Sequence, residues 1–123
     1  MSSQDEQDVR AVIAGYFEAL YHGDIAGFRR VLHPHARLFS AADGTMIDLD
    51  VETYMGMVAA RPSSASRNDP REDEIVTVTV SSPTTAHARV QDMYLPKRFL
   101  NELTFVKIDG RWQIIAKVWH FFV

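Results

Sequence analysis

Residues 99–122 read FLNELTFVKIDGRWQIIAKVWHFF, two runs of apolar, aromatic and β-branched residues on either side of Asp109-Gly110. An Asp-Gly pair between such runs signals a two-residue hairpin, because both central residues of that turn need positive φ. With the turn placed there, Ile108 faces Arg111 and the pairing steps outward. One face gathers Lys107 with Trp112, Phe105 with Ile114, Leu103 with Ala116, Asn101 with Val118 and Phe99 with His120. The opposite face gathers Val106 with Gln113, Thr104 with Ile115, Glu102 with Lys117 as a cross-strand charge pair, and Leu100 with Trp119. The first face is the more uniformly apolar, so it is expected to form the core.

Upstream, residues 75–81 and 85–95 are also strand-like, with Pro83 and Pro96 marking turns. The N-terminal half has a different period. Val9, Val12, Ile13, Tyr16, Phe17, Leu20 and Tyr21 recur at three- and four-residue steps, the mark of an amphipathic helix that Gly23 can end. Asp24 can cap a second helix carrying Ile25, Phe28, Val31 and Leu32, closed off by Pro34. Two short strands, 37–42 and 45–49, are expected around Asp43-Gly44, and Asp50 can cap a third helix with Val51, Tyr54, Met55 and Val58 inward. Residues 61–73, RPSSASRNDPRED, have no periodicity and read as a long loop. Helices followed by a run of strands predict an α+β fold: a strongly bent antiparallel sheet with three helices packed on its concave face.

The chain of 123 residues is long enough to bury one core, and residues 1–123 are expected to form a single domain. A net charge of −3 argues against a mainly electrostatic grip on nucleic acid. The absence of cysteine removes disulfides, thiol nucleophiles and thiolate zinc sites. A polar, acidic N-terminus and the lack of a long apolar stretch predict a cytoplasmic protein away from membranes.

The candidate site follows from the core face. Toward its far end the face acquires Asn101 and His120 among Phe99 and Val118, and buried polar groups need partners or a wet cavity. On residues 85–95 the smaller, more apolar set containing Ala86, Ala88, Val90, Asp92 and Tyr94 is expected inward. Asp92 would then be a carboxylate in a partly dry pocket with a raised pKa, unless a bulge turns it to solvent. Asp92 and His120 are therefore the candidate catalytic groups. Tyr16, His33, Phe39, Tyr54, Tyr94, Phe99 and Asn101 are the expected ligand-binding residues, and the ligand is expected to be small and apolar or aromatic. Tyr16 and His120 are equally readable as satisfied core residues. His33-Pro34-His35 lacks third and fourth ligands, so neither a metal nor any other cofactor is expected. Arg61, Arg67 and Arg71 offer an anion clamp or a solvated loop.

The opening helix ending in YHGD, the segment VLHPHARLF, the DG hairpin, the helix DVETYMGMV and the terminal FVKIDGRWQIIAKVWHF together resemble the nuclear transport factor 2-like superfamily, the cystatin-like cones. YHGD, LPKRF and IDGRWQIIAK look most like its small bacterial SnoaL-like branch, described as putative lumazine-binding proteins. The resemblance implies a cone-shaped fold and, at the level of function, several classes. One is a small-molecule-binding protein. Another is a cofactor-free isomerase, dehydratase or hydrolase with Asp92 or His120 as acid–base, and whether the chain is an enzyme stays open. A third is a non-catalytic association domain with a filled cone. In ketosteroid isomerase, a superfamily member, a helix tyrosine and a protonated Asp form the oxyanion hole while a second Asp is the base. Tyr16 and Asp92 are similarly placed, but residues 37–42 carry no carboxylate for the base.

The face that the helices leave uncovered carries Leu100, Val106, Ile115, Trp119 and Phe121. Exposed apolar area of that extent predicts a homodimer through the sheet, with Trp119 as central anchor. The superfamily resemblance implies the same arrangement.

Overall fold

The structure, a computed structural model, describes residues 3–123. Helix α1, Ser3–His22, carries Asp5 and Glu6 in its first turn, where negative charge complements the helix dipole. Its buried side is Val9, Ile13, Tyr16, Phe17 and Leu20, the stripe expected from spacing. Gly23, at φ +63°, turns the chain into α2, Ile25–Val31. Helix α2 stops one residue short of the expected end, because Leu32 already belongs to β1, Leu32–Ser40. After β2, Ile47–Asp50, the Asp50 side chain accepts from the Thr53 amide at 2.7 Å and caps α3, Val51–Ala60. The remaining strands are β3, Glu74–Val80, β4, Thr85–Tyr94, β5, Lys97–Ile108, and β6, Arg111–Phe122.

The six strands form one sheet in the order β2-β1-β6-β5-β4-β3. It is not wholly antiparallel, since β1 runs parallel to β6. Asp43-Gly44 does not make a two-residue hairpin either. It lies in a six-residue loop, with Gly44 donating to the Ala41 carbonyl and Thr45 to the Asp43 side chain. Asp109-Gly110 behaves as predicted, with φ of 51° and 76° and Ile108 opposite Arg111.

The register from that turn holds for only four pairs. Phe105 faces Ile114, but Thr104 faces Ala116, so Ile115 is the extra residue of a bulge. Long strands that bend around a core take up such residues. Beyond the bulge every β6 side chain changes face. Lys117, Trp119 and Phe121 turn inward beside Leu103, Asn101 and Phe99, while Val118, His120 and Phe122 turn out. Lys117 does not pair with Glu102, which instead holds His87 at 2.9 Å and Arg89 at 2.8 Å on the outer face.

The core lies between the helices and the inner sheet face, where Ala88, Val90, Leu103, Phe105 and Ile114 are fully buried. Phe28 from α2 stands edge-on to Tyr16 at 5.9 Å and to Tyr54 at 5.5 Å. Phe28→Ala should cost about 3–5 kcal/mol, because it deletes a fully buried ring where the sheet and two helices limit collapse. Urea denaturation checks this, and a loss under 1 kcal/mol, the scale of a surface change, would show that the site is not tightly packed.

The segment 61–73 has one short 3₁₀ turn, Ala65–Arg67, and is fastened at both sides. Tyr94 donates its hydroxyl to the Pro62 carbonyl at 2.6 Å, and Tyr21 donates to the Asp69 carbonyl at 2.7 Å. Arg71 binds Glu18 and Asp73.

Candidate functional site

Between α3, β2 and the inner face of β4–β6 lies a cavity of about 190 Å³. Tyr54, Tyr94, Phe99, Trp119 and Phe121 supply its aromatic wall, and Leu20, Ile47, Leu49 and Met57 the aliphatic part. Four charged side chains reach it: Asp92, Lys117, Arg61 and Lys97. A second hollow, more open and about 540 Å³, shares Asp92 and Phe99 as a wall and is otherwise lined by Glu72, Asp73, Glu74, Gln91, Arg98, Leu100 and Phe122. Its Arg98 is already neutralised by Glu72 at 3.1 Å, and its lining is less apolar. The smaller cavity has the chemistry.

Asp92 is inward, as the alternation of β4 predicts, because β4 pairs with β5 without a register shift. Only 4% of it is exposed. Burial pushes its carboxyl up to about 6, with the nearby Lys117 charge pulling the other way and Asp73 adding to the rise. Asn101, fully buried behind it, donates to the Asp92 carboxyl at 2.8 Å. The other side-chain atom of Asn101, Oδ1, has no hydrogen-bond partner among the described residues.

Lys117 is the residue that spacing alone misses. It is 6% exposed and donates to the Tyr16 hydroxyl at 2.6 Å. Its ammonium also lies over the rings of Tyr16, Tyr54 and Trp119 at 5.2, 5.3 and 5.5 Å, a cage that favours a cation. Burial, then Tyr54 and Asp92, pushes the Tyr16 phenol well above its ordinary value, so it stays neutral and holds its proton. The floor of the cavity thus sets a carboxylate of near-neutral basicity beside an ammonium–phenol pair.

Of the expected site residues, Asp92, Tyr54, Tyr94 and Phe99 line the cavity, while Tyr16 and Asn101 stand directly behind it. Three do not belong to it. His120 is exposed on the outer face because of the Ile115 bulge, edge-on to Phe122 at 4.8 Å. Phe39 sits opposite Val118 on that same outer face, since its neighbours Leu38 and Ser40 are the buried ones. His33, the second residue of β1, accepts the His35 amide on its ring Nδ1 at 3.0 Å. Trp119 and Phe121, expected on the exposed face, are cavity walls instead.

Among the described residues no three His, Asp or Glu side chains cluster in a way that would hold a metal ion. No helix among them is long and apolar enough to cross a membrane.

The model of the family described as "Putative lumazine-binding" matches residues 4–120. The chain belongs to that family. A curated relative, Aldolase FrzH from Cladobotryum sp, is 25% identical over 122 residues, covering 98% of this chain and 94% of its own. Solved structures place the family member within the nuclear transport factor 2-like fold. A protein of unknown function from Silicibacter pomeroyi superposes with a TM-score of 0.86 at 20% identity, covering 99% of this chain and 100% of its own. Another from Shewanella baltica gives 0.86 at 18% identity, over 100% and 98%. These two likenesses are of fold. A cystatin-like fold protein from Burkholderia xenovorans is in the same company.

Proposed function

We propose that the protein binds a small carbonyl compound in the 190 Å³ cavity and catalyses cofactor-free proton abstraction next to the carbonyl. One observation carries this reading: a buried carboxyl with its pKa at about 6 shares the cavity floor with the Lys117–Tyr16 pair. A general base works best when its pKa lies near the working pH. Asp92 takes the proton from carbon, the C–H electron pair becomes the enolate double bond, and the carbonyl oxygen takes up the negative charge. That oxygen is stabilised by the Lys117 ammonium, a preorganised donor in a dry site that the Tyr16 hydroxyl holds in place from behind. The enolate carbon then takes back a proton, which is isomerisation, or attacks a second carbonyl, which is aldol addition. The aldolase name of the Cladobotryum relative supports the second outcome.

Exchange of α-hydrogens for deuterium reads the first step without knowledge of the product. Phenylacetone in D₂O, followed by proton NMR, should lose its α-hydrogens faster with the protein than in buffer. Exchange at the buffer rate, or a rate unchanged by Asp92→Asn, sinks the enzyme reading and leaves simple ligand binding.

We also propose a homodimer through the outer sheet face, with its composition revised. Val118 and Phe122 are 48% and 56% exposed there, and Leu100, Val106 and Ile115 are half-buried beside them. This patch supports a two-fold contact. Sedimentation equilibrium should give twice the 14.0 kDa chain mass, and Val118→Arg should return the chain mass. A wild-type species of 14.0 kDa ends the idea.

A further inference from the structure

The charge around the cavity is unbalanced, and the imbalance is local. The sequence has 13 Lys and Arg residues. Nine of them have a carboxylate oxygen within 4.0 Å. Those without one, among the described residues, are Arg61, Lys97, Arg111 and Lys117. Arg111 donates to the Arg30 carbonyl away from the site. The other three all line the one small cavity, against the single carboxylate of Asp92.

Their placement is ordered. Lys117 is buried at the floor and occupied with Tyr16. Arg61 and Lys97 are half-buried at the mouth, both beside Tyr94: Arg61 lies over its ring at 4.4 Å, and Lys97 is its cross-strand partner. Lys97 is also held over Phe121 at 4.2 Å. Arg67, the other guanidinium over Tyr94, is neutralised by Asp69 at 2.7 Å, so it adds no open charge. Two cations fixed by aromatic rings, with no carboxylate within 4.0 Å among the described residues, form a fork for an anionic oxygen pair, whose hydrogen bonds would be charge-assisted. Behind the fork the wall is aromatic. The volume is below the roughly 300–1,000 Å³ of drug-sized pockets, which limits the ligand to about one ring.

We infer that the cavity takes a single-ring organic acid, ring inward against Trp119 and Phe99, with its carboxylate at the mouth on Arg61 and Lys97. This rests on the reading of the cavity as the reaction site and names its substrate class: an aromatic keto acid rather than a neutral ketone. The reacting carbon then lies toward Asp92 and Lys117, and the acid group serves as the handle.

Phenylacetate is the probe, being an acid of the right size with no ketone to react. Calorimetric titration should show it binding at least about tenfold tighter than phenylacetamide and phenethylamine, its neutral and cationic counterparts. The preference should shrink with added salt, as for half-exposed charges. Arg61→Ala and Lys97→Ala should each weaken phenylacetate several-fold and leave phenylacetamide unchanged, and the double variant should bind acid and amide alike. Circular dichroism and a wild-type affinity for phenylacetamide show that the variants are folded. Equal affinity for acid and amide in the wild-type protein overturns the inference, as does an acid preference that survives in the double variant. The exchange experiment separates the two readings. Acid binding that depends on Arg61 and Lys97, without exchange of phenylacetone or phenylpyruvate, keeps the anion site and removes the chemistry. Asp92-dependent exchange of phenylacetone without acid preference does the reverse.

Discussion

Asp92→Asn should lower α-hydrogen exchange about a thousandfold, within the range for loss of a positioned general base, and it should make the folded protein more stable at neutral pH. The two effects have one cause. The folded protein holds the Asp92 proton up to a pH of about 6, against an ordinary value of 3.8. The native state therefore binds a proton more tightly than the unfolded chain, and the stability this group contributes falls as pH rises from about 4 to about 6. Above that window the buried carboxylate is a burden of about 3 kcal/mol at most. An amide carries no such burden. It can accept from the Asn101 amide as the carboxylate does and can also donate to the orphan Asn101 Oδ1. The variant should gain about 1–3 kcal/mol at pH 7 and lose the pH 4–6 slope that the wild-type protein shows. Urea titrations of both proteins at pH 4 and pH 7 measure the difference. If Asp92→Asn is instead destabilising at pH 7, the carboxylate is an ordinary satisfied core group and the catalytic reading loses its physical basis.

The same residue shows where a sequence is legible. Asp92 was readable because β4 keeps strict alternation against β5 along its whole paired length. The helix stripe of α1 was readable for a similar reason, since a 3.6-residue period runs unbroken from Val9 to Leu20. Lys117 and His120 were not. Counting from the Asp109-Gly110 turn stays right to Ile114 and then fails by one residue, and a slip of one moves a side chain to the other face. Ile115 has nothing in its own chemistry to mark it as the bulged residue. The bend that requires it comes from wrapping the sheet around the helices, a property of the whole fold. Phe39 failed through topology: its face is set by Val118 on a parallel neighbour nearly eighty residues away, and short-range pattern contains no trace of that. What survived of the candidate site is what rested on local period, and what changed rested on counting across the bulge.

Lys117→Met should lower the exchange rate about a hundred- to a thousandfold, the scale for removing one donor to a developing oxyanion, without lowering stability. Methionine nearly matches the lysine stem in length and can fill the space among Tyr16, Tyr54 and Trp119. The ammonium it replaces is 6% exposed and has no carboxylate within 4.0 Å among the described residues, so its desolvation is offset chiefly by the Tyr16 oxygen and the rings. Replacing a buried charge with an apolar group of similar volume is often neutral or stabilising. Tyr16 is already neutral and keeps Tyr54 beside it. Asp92 does feel the loss, because the Lys117 charge is the largest influence holding its carboxyl down. Without it the carboxyl should titrate above about 6, and the residual exchange should reach half its maximum at a higher pH than in the wild-type protein. The upward move of the pH–rate midpoint separates this account from a packing role. A lysine that merely holds the floor together would give a variant with a lower unfolding midpoint and a rate that falls only in step with the folded fraction, at an unchanged midpoint in pH. Thermal unfolding and a pH–rate profile on one preparation distinguish the two.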